Sequence, residues 1–235
     1  MDAIILAAGL GTRLRPHTLT TPKPMLPVRG RPILDWTLGA LPPAVDRVIV
    51  VVHYLREKVE AYLRQQTHFH QWETVYQAQP RGTGDAVRSC ASKIRSERFL
   101  VLNGDDLFGA ADLARLAECP AGLICQPVDE PRKFGIAFVR PDGTLEKLVE
   151  KPDLDGTQLA NTGAYVFPRT VFDIELKLSA RGEYEVTDYV TTLARTQPVS
   201  VIRATFWMPI GTLDALNRAQ ETDLDAVLTR AARKG

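Results

Sequence analysis

The sequence predicts an α/β fold built on a doubly wound, mostly parallel sheet with helices on both faces, joined to a smaller β-rich region. Three observations predict it. Strand-length segments such as Ile4-Ile5-Leu6, residues 47–52 and Phe99-Leu100-Val101-Leu102 are apolar without alternation, as strands covered on both faces must be. Amphipathic segments of helix length stand between them. Turns rich in Gly and Asp follow the first and third of these strands, on the edge where parallel sheets bind their ligands.

Taken in order, residues 32–41 read as a helix through Ile33, Trp36, Thr37, Leu38 and Leu41, and Pro42-Pro43 stops it. Residues 47–52 form a second buried strand. Residues 55–65 are amphipathic, with Leu55, Val59, Tyr62 and Leu63 on one side, and residues 72–77 are strand-like. A helix is expected over 84–94 and a buried strand over 99–102. After about Leu123 the pattern becomes β-rich. Residues 135–139 and 145–150 flank the turn Asp142-Gly143 as a hairpin, and 161–167 form another strand. Helices are expected near 170–178 and 185–196, a strand over 199–206, and a C-terminal amphipathic helix carrying Leu213, Leu216, Leu224, Val227, Leu228 and Ala231. The reading is one domain over residues 1–235, with halves at 1–120 and 121–235 and a cleft between them.

The chemistry concentrates in the first turn. Ala7, Ala8 and Gly9 are small enough to let backbone approach a ligand at the end of the first strand. Gly11, Thr12, Arg13 and Arg15 follow, and Lys23 sits inside Pro22-Lys23-Pro24. Backbone N–H groups of a Gly-rich turn, forked arginines and a proline-braced lysine together suit a polyphosphate. Residues 9–14 have Leu14 where a dinucleotide fingerprint needs its third glycine, and no Walker A sequence occurs. An isolated turn with solvated arginines would explain a lone GxG; it does not explain all these features occurring together.

Residues 6–16, LAAGLGTRLRP, followed by PKPMLPV at 22–28, resemble the signature of the sugar-1-phosphate nucleotidyltransferases. The resemblance implies a Rossmann-like sheet with a β-rich, acceptor-binding insertion. It also implies transfer of a nucleotide from a nucleoside triphosphate to a sugar 1-phosphate, with Mg²⁺ as cofactor and pyrophosphate as leaving group. It places Leu6, Ala7, Ala8, Gly9, Gly11 and Thr12 on the nucleotide, and Arg13, Lys23 and Asp105 in the catalytic centre. Asp105 is the metal ligand in this reading and Asp106 the less favoured one.

Residues 77–86 follow a strand and open a helix. A Gln amide both donates and accepts, as a base edge requires. By resemblance Gln77, Gly82 and Thr83 read a pyrimidine, with Gln79 as the alternative amide. UTP or dTTP is therefore favoured over GTP or CTP. Gly135, Glu150, Lys151 and Asn161 resemble the family's sugar-phosphate residues, and residues 182–188 resemble a further segment that is supporting only. One departure stands out. The family pattern W-x-D-x-G-T carries a second acidic metal ligand; here it reads Trp207-Met208-Pro209-Ile210-Gly211-Thr212. Proline has no side-chain ligand, so a non-catalytic nucleotide-sugar-binding regulatory protein is the rival reading.

Composition sets the outer bounds. The chain has 235 residues, 45% hydrophobic and 24% charged, with a formal net charge of +1. That balance gives no electrostatic footprint for nucleic acid or an anionic membrane. No apolar run approaches spanning length and no basic leader precedes the first strand, so a cytoplasmic protein with reduced thiols is expected. Cys90, Cys119 and Cys125 lack metal-site spacing, and His68 and His70 are read as loop residues rather than a metal pair. Assembly into a homo-oligomer is left open.

Overall fold

The segments without polar alternation become strands covered on both faces, and amphipathic segments become the helices that cover them. The computed structural model describes residues 1–228. Its first half runs β1 (Asp2–Leu6), β2 (Pro27–Val28), β3 (Arg31–Pro32), α1 (Ile33–Ala40), β4 (Arg47–Val52), α2 (Arg56–Leu63), β5 (Gln71–Tyr76), α3 (Thr83–Arg88), β6 (Arg98–Asn103), β7 (Asp106–Phe108) and α4 (Ala110–Glu118). The second half continues with β8 (Gly122–Val128), β9 (Gly135–Val139), β10 (Leu145–Glu150), β11 (Gln158–Pro168), α5 (Val186–Thr196), β12 (Ser200–Arg203), β13 (Trp207–Pro209), α6 (Leu213–Glu221) and α7 (Leu224–Leu228).

Nine strands form one sheet in the order β10-β9-β11-β6-β1-β4-β5, with β8 joining β11 to β12. The segment β6-β1-β4-β5 is parallel throughout, and β11 reverses direction against β6. Alternate residues of β1 serve two cores. Ala3 and Ile5 pack with leucines of α1, α4 and α6, whereas Ile4 packs with Ala86 and Val87 of α3 and Tyr189 and Val190 of α5. At the amino ends of these strands the buried Arg47 bonds Asp2 Oδ1 at 2.9 Å and Glu73 Oε1 at 2.7 Å, tying three neighbours together. At the carboxyl ends the departing loops are stitched by backbone. Ala7 N donates to Val51 O, Gln77 N to Val52 O and Gly104 N to Leu6 O, each at 2.9 Å. The three motif loops therefore share one edge.

Several expected boundaries change. The helix over 84–94 stops at Arg88 and resumes only as a 3-10 turn at Ala91–Lys93. The helix over 170–178 is a 3-10 turn, Arg169–Asp173, followed by extended chain that meets Tyr184 at Leu178. Phe172 stacks on Phe99 with centroids 5.2 Å apart, and Ile174, Leu176 and Leu178 then follow a period of two, which overrides the local helical tendency. The strand over 199–206 divides into β12 and β13. Between them Thr205 N and Phe206 N turn to the buried Asp112 carboxylate at 2.7 and 3.1 Å. The C-terminal helix breaks into α6 and α7, and Ala231 lies outside the described residues. Helix α4 and strand β8 had no counterpart in the sequence reading. His68 bonds Asp35, which also accepts from Tyr62 and Arg31, so this histidine completes a local network at the surface. All three cysteines are free; burial pushes the Cys90 and Cys125 thiols up to about 12. Among the described residues no helix is long and apolar enough to cross a membrane.

Candidate active site

The loop after β1 curls because Gly11 takes a left-handed conformation, φ 62°, and its carbonyl accepts the Thr18 hydroxyl at 2.8 Å. A side chain at Gly11 would start 2.9 Å from Thr18 Cγ2 and 3.2 Å from Lys23 Cβ, so only glycine lets the two sides of the loop close. The result is a cavity of about 450 Å³ lined by Leu6, Ala7, Ala8, Gly9, Gly11 and Thr12, with Lys23, Gln77, Gly82, Thr83 and Asp105 completing it. A smaller recess of about 200 Å³ shares Gly11, Lys23 and Asp105 and adds Arg13 and Gly211. The structure thus gathers the predicted nucleotide and catalytic residues around one edge. Arg13 differs from Lys23. Its guanidinium has no hydrogen bond or ion pair among the described residues, and it lies over Gly211 of the 207–212 motif in which Pro209 replaces the acidic residue. Arg15 lines neither space.

Lys23 is 6% exposed and its ammonium pairs with Asp105 Oδ2. The pair fixes the lysine while leaving the second Asp105 oxygen without a hydrogen bond among the described residues. Asp106 points elsewhere. It is 7% exposed, its Oδ2 receives only Trp207 Nε1 at 3.4 Å and Asn103 Nδ2 at 3.5 Å, and it lies opposite Pro209 on the β7–β13 ladder. Burial first, then the negative charge of Asp105, pushes its carboxyl up to about 8. A raised folded value means that the folded state keeps a proton the unfolded state loses above about 4. Stability is therefore full below the unfolded value and declines as pH rises towards about 8. An Asp106→Asn protein should match the wild type near pH 4 and exceed it near pH 9, by roughly 1–3 kcal/mol or about 2–10 °C in Tm. Thermal melts across that range check it; a Tm difference that does not move with pH refutes the assignment.

The base loop is held from outside. Gly82 has φ 105° and ψ 171°, a region open essentially to glycine alone, and a Cβ there would start 2.3 Å from Tyr184 O. Gly84 N donates to Tyr184 O and Tyr184 N donates to Arg81 O, both at 2.8 Å, and Thr83 Oγ1 accepts from Val186 N at 3.1 Å. Residues 182–188, which the sequence ranked as supporting only, are thus the clamp on this loop, and Glu183 itself lines the cavity. Gln79 does not line it; it faces a neighbouring concavity with Tyr76, Arg81 and Arg88, which Asp85 also lines and Gln77 shares with the cavity. A Gly82→Ala protein should lose about 3 kcal/mol, some 6–12 °C in Tm, from backbone strain plus the clash. A melt within 1 °C of wild type, on this scale about 0.3 kcal/mol, would show that the loop relaxes freely.

The four sugar-phosphate candidates stand apart from the cavity but together. Gly135 and Glu150 face each other on the β9–β10 ladder, and a Cβ at Gly135 would meet Glu150 Oε2 at 3.0 Å and Asn161 Cβ at 4.0 Å. Asn161 is already engaged at both ends of its amide, donating to Tyr165 OH at 2.6 Å and accepting from Gly163 N at 3.2 Å. Lys151 leaves the strand with φ 44°, an unusual conformation for a residue with a Cβ, held by its N–H on Phe134 O at 2.9 Å. Arg181 lies 4.0 Å from Glu150, so the loop that carries Glu183 and Tyr184 also touches this cluster. Gly163 lies against Asn103, which lines the cavity. The sequence offered no signal for these links because their partners are far apart in the chain.

Residues 2–226 match the model of the nucleotidyl transferase family. The chain belongs to this family. A bifunctional GlmU protein of Methanocaldococcus jannaschii is 34% identical over 232 residues, covering 97% of this chain and 56% of the relative. A mannose-1-phosphate guanylyltransferase of Mycobacterium tuberculosis is 32% identical over 244 residues, covering 100% of this chain and 68% of the relative. The chain spans about half the length of the GlmU relatives it matches. A UDP-glucose pyrophosphorylase complexed with UDP-glucose shares the fold with a TM-score of 0.83 at 22% identity, over 94% of this chain and 97% of that one. As a nucleotidyl transferase family member the chain offers a sparse donor set for a cation. Among the described residues no three His, Cys, Asp or Glu side chains cluster to hold one. Asp105, a partly exposed carboxylate at the cavity with one oxygen free of hydrogen bonds among the described residues, fits a hard cation that keeps most of its other ligands from phosphate and water.

Proposed function

We propose that this chain joins a sugar 1-phosphate to a nucleoside triphosphate, UTP or dTTP in preference to GTP or CTP, giving a nucleotide sugar and pyrophosphate. The observation that carries the reading is that Lys23 and Asp105 line both the cavity whose other wall is the base loop and the adjoining recess that holds Arg13. An oxygen of the sugar phosphate attacks the α-phosphorus. The new P–O bond forms as the bond to the β-phosphate oxygen breaks, and pyrophosphate leaves with that electron pair. No protein nucleophile is needed, so catalysis is alignment and charge stabilisation. Arg13, free of protein partners, grips the outer phosphates; Lys23, fixed in place, faces the reacting one. Asp105 holds Mg²⁺, which neutralises phosphate charge when bound.

In this reading residues 1–120 form the nucleotide half and 121–235 the sugar-phosphate half of one domain. Gly135 gives its N–H to a sugar hydroxyl, Glu150 and Asn161 bond others, and Lys151 takes the sugar phosphate. Pro209 specifically favours a second reading, a nucleotide-sugar-binding regulatory protein without turnover. A pyrophosphate-release assay over a grid of triphosphates and sugar phosphates separates the two. Release with a pyrimidine triphosphate is expected; release with GTP exceeding both UTP and dTTP refutes the base reading; a folded protein that releases none is the regulator.

A further inference from the structure

Gln77 is 5% exposed and both hydrogens of its amide are committed to the protein. Nε2 donates to Asp85 Oδ2 at 3.0 Å and to Gly82 O at 3.3 Å. Neither partner can donate, so turning the amide over would set its oxygen against two oxygens. Asp85, itself 7% exposed, is locked in turn: its Oδ1 accepts Arg81 Nη2 at 3.0 Å and Arg88 Nη2 at 2.9 Å. Burial works against ionisation here, yet the hydrogen bonds from Gln77 and Arg88 and the charges of both arginines hold the carboxyl below its usual range. Gln77 Oε1 has no hydrogen bond among the described residues, and Gln77 lines the 450 Å³ cavity.

We propose that Asp85 is a positioning residue for nucleotide choice: by fixing the Gln77 amide it presents the cavity with an acceptor alone, selecting bases that carry a ring N–H. Uracil and thymine carry one at N3 and guanine at N1. Cytosine and adenine present a ring-nitrogen lone pair there, acceptor against acceptor. The proposal rests on the loop being a base site, as in the proposed function, but not on the base being a pyrimidine. The arrangement depends on four groups, Gln77, Asp85, Arg81 and Arg88, that the sequence spreads over twelve positions of strand end, loop and helix.

The test is calorimetric binding of UTP, dTTP, GTP, CTP and ATP, which needs no turnover, alongside kcat/KM where turnover is seen. Wild type should bind at least one of the first three about a thousandfold more tightly than CTP or ATP, because a site built around a hydrogen bond rejects analogues lacking it. In Asp85→Asn the new amide can accept or donate, Gln77 can turn over, and that gap should narrow at least about tenfold, in KM rather than kcat. An Arg81→Met/Arg88→Met protein, whose side chains are about half exposed, removes both cations from Asp85 and should narrow the gap in the same direction even if Asp85→Asn fails to fold. Parallel weakening of all five nucleotides in a folded variant, or wild type binding CTP or ATP as tightly as the best of the others, overturns the proposal. Preference for GTP leaves it standing and refutes the pyrimidine reading; binding of none refutes both.

Discussion

An Asp105→Asn protein is expected to release pyrophosphate about a thousandfold more slowly than wild type, with its fold intact. Asn keeps the shape of the side chain and can still accept from Lys23, whose ammonium is almost wholly covered. What is lost is the charge that balances Lys23 and a carboxylate oxygen, free of hydrogen bonds among the described residues, that can meet a cation at the cavity beside Lys23. The large loss belongs to the chemical step, so it should appear in kcat; leaving the covered Lys23 ammonium without its counter-charge should also lower the melting temperature, so turnover is compared at a temperature where the variant is folded. Asp214 is the control. It lies exposed in the first turn of α6, just past the Thr212 cap whose hydroxyl accepts from Ala215 N at 3.2 Å, and Asp214→Asn should leave turnover unchanged. Pro209→Asp should lower the Mg²⁺ concentration needed for half-maximal rate, since position 209 lies across the ladder from Asp106 and next to Ile210, whose N–H bonds Asp105 O at 3.2 Å. An active Asp105→Asn protein with a silent Asp214→Asn protein would place the metal site elsewhere.

Arg13→Ala should lower kcat about a hundredfold, the size of effect found for single preorganised electrostatic donors. The guanidinium is already free of protein partners and sits in the recess between Gly11 and Gly211, so no ion pair must break before it meets phosphate. Arg13→Lys should recover part of the rate. Lysine restores the charge but not the fork. Because Arg13 is exposed and unpaired, neither change should move the melting temperature appreciably. Steady-state turnover of Arg13→Ala equal to wild type would remove Arg13 from the catalytic centre.

A mostly parallel sheet and the nature of its ligand edge were legible in the sequence; the strand order β6-β1-β4-β5 was not. Unalternating apolar strands, a turn that needs glycine at Gly11, and a proline-braced Lys23 are demands of near neighbours, and near neighbours are what a sequence displays. Gly82 was legible for the same reason, though only the structure shows that Tyr184 O is what forbids a side chain there. The rest came from contacts between distant segments. Residues 170–178 have a plausible helical pattern, but Phe172 finds Phe99 and the following chain extends. Gln77 could have shown the cavity either end of its amide; Asp85 and Gly82 O settle which, because two fixed acceptors tolerate only the donor end. The joining of the Gly135, Glu150 and Asn161 cluster to the base loop through residues 179–185 depends on contacts between segments far apart in the chain. Local backbone rules and periodicity can be read along the chain; which acceptor faces which donor depends on distances between segments, and those exist only once the chain has folded.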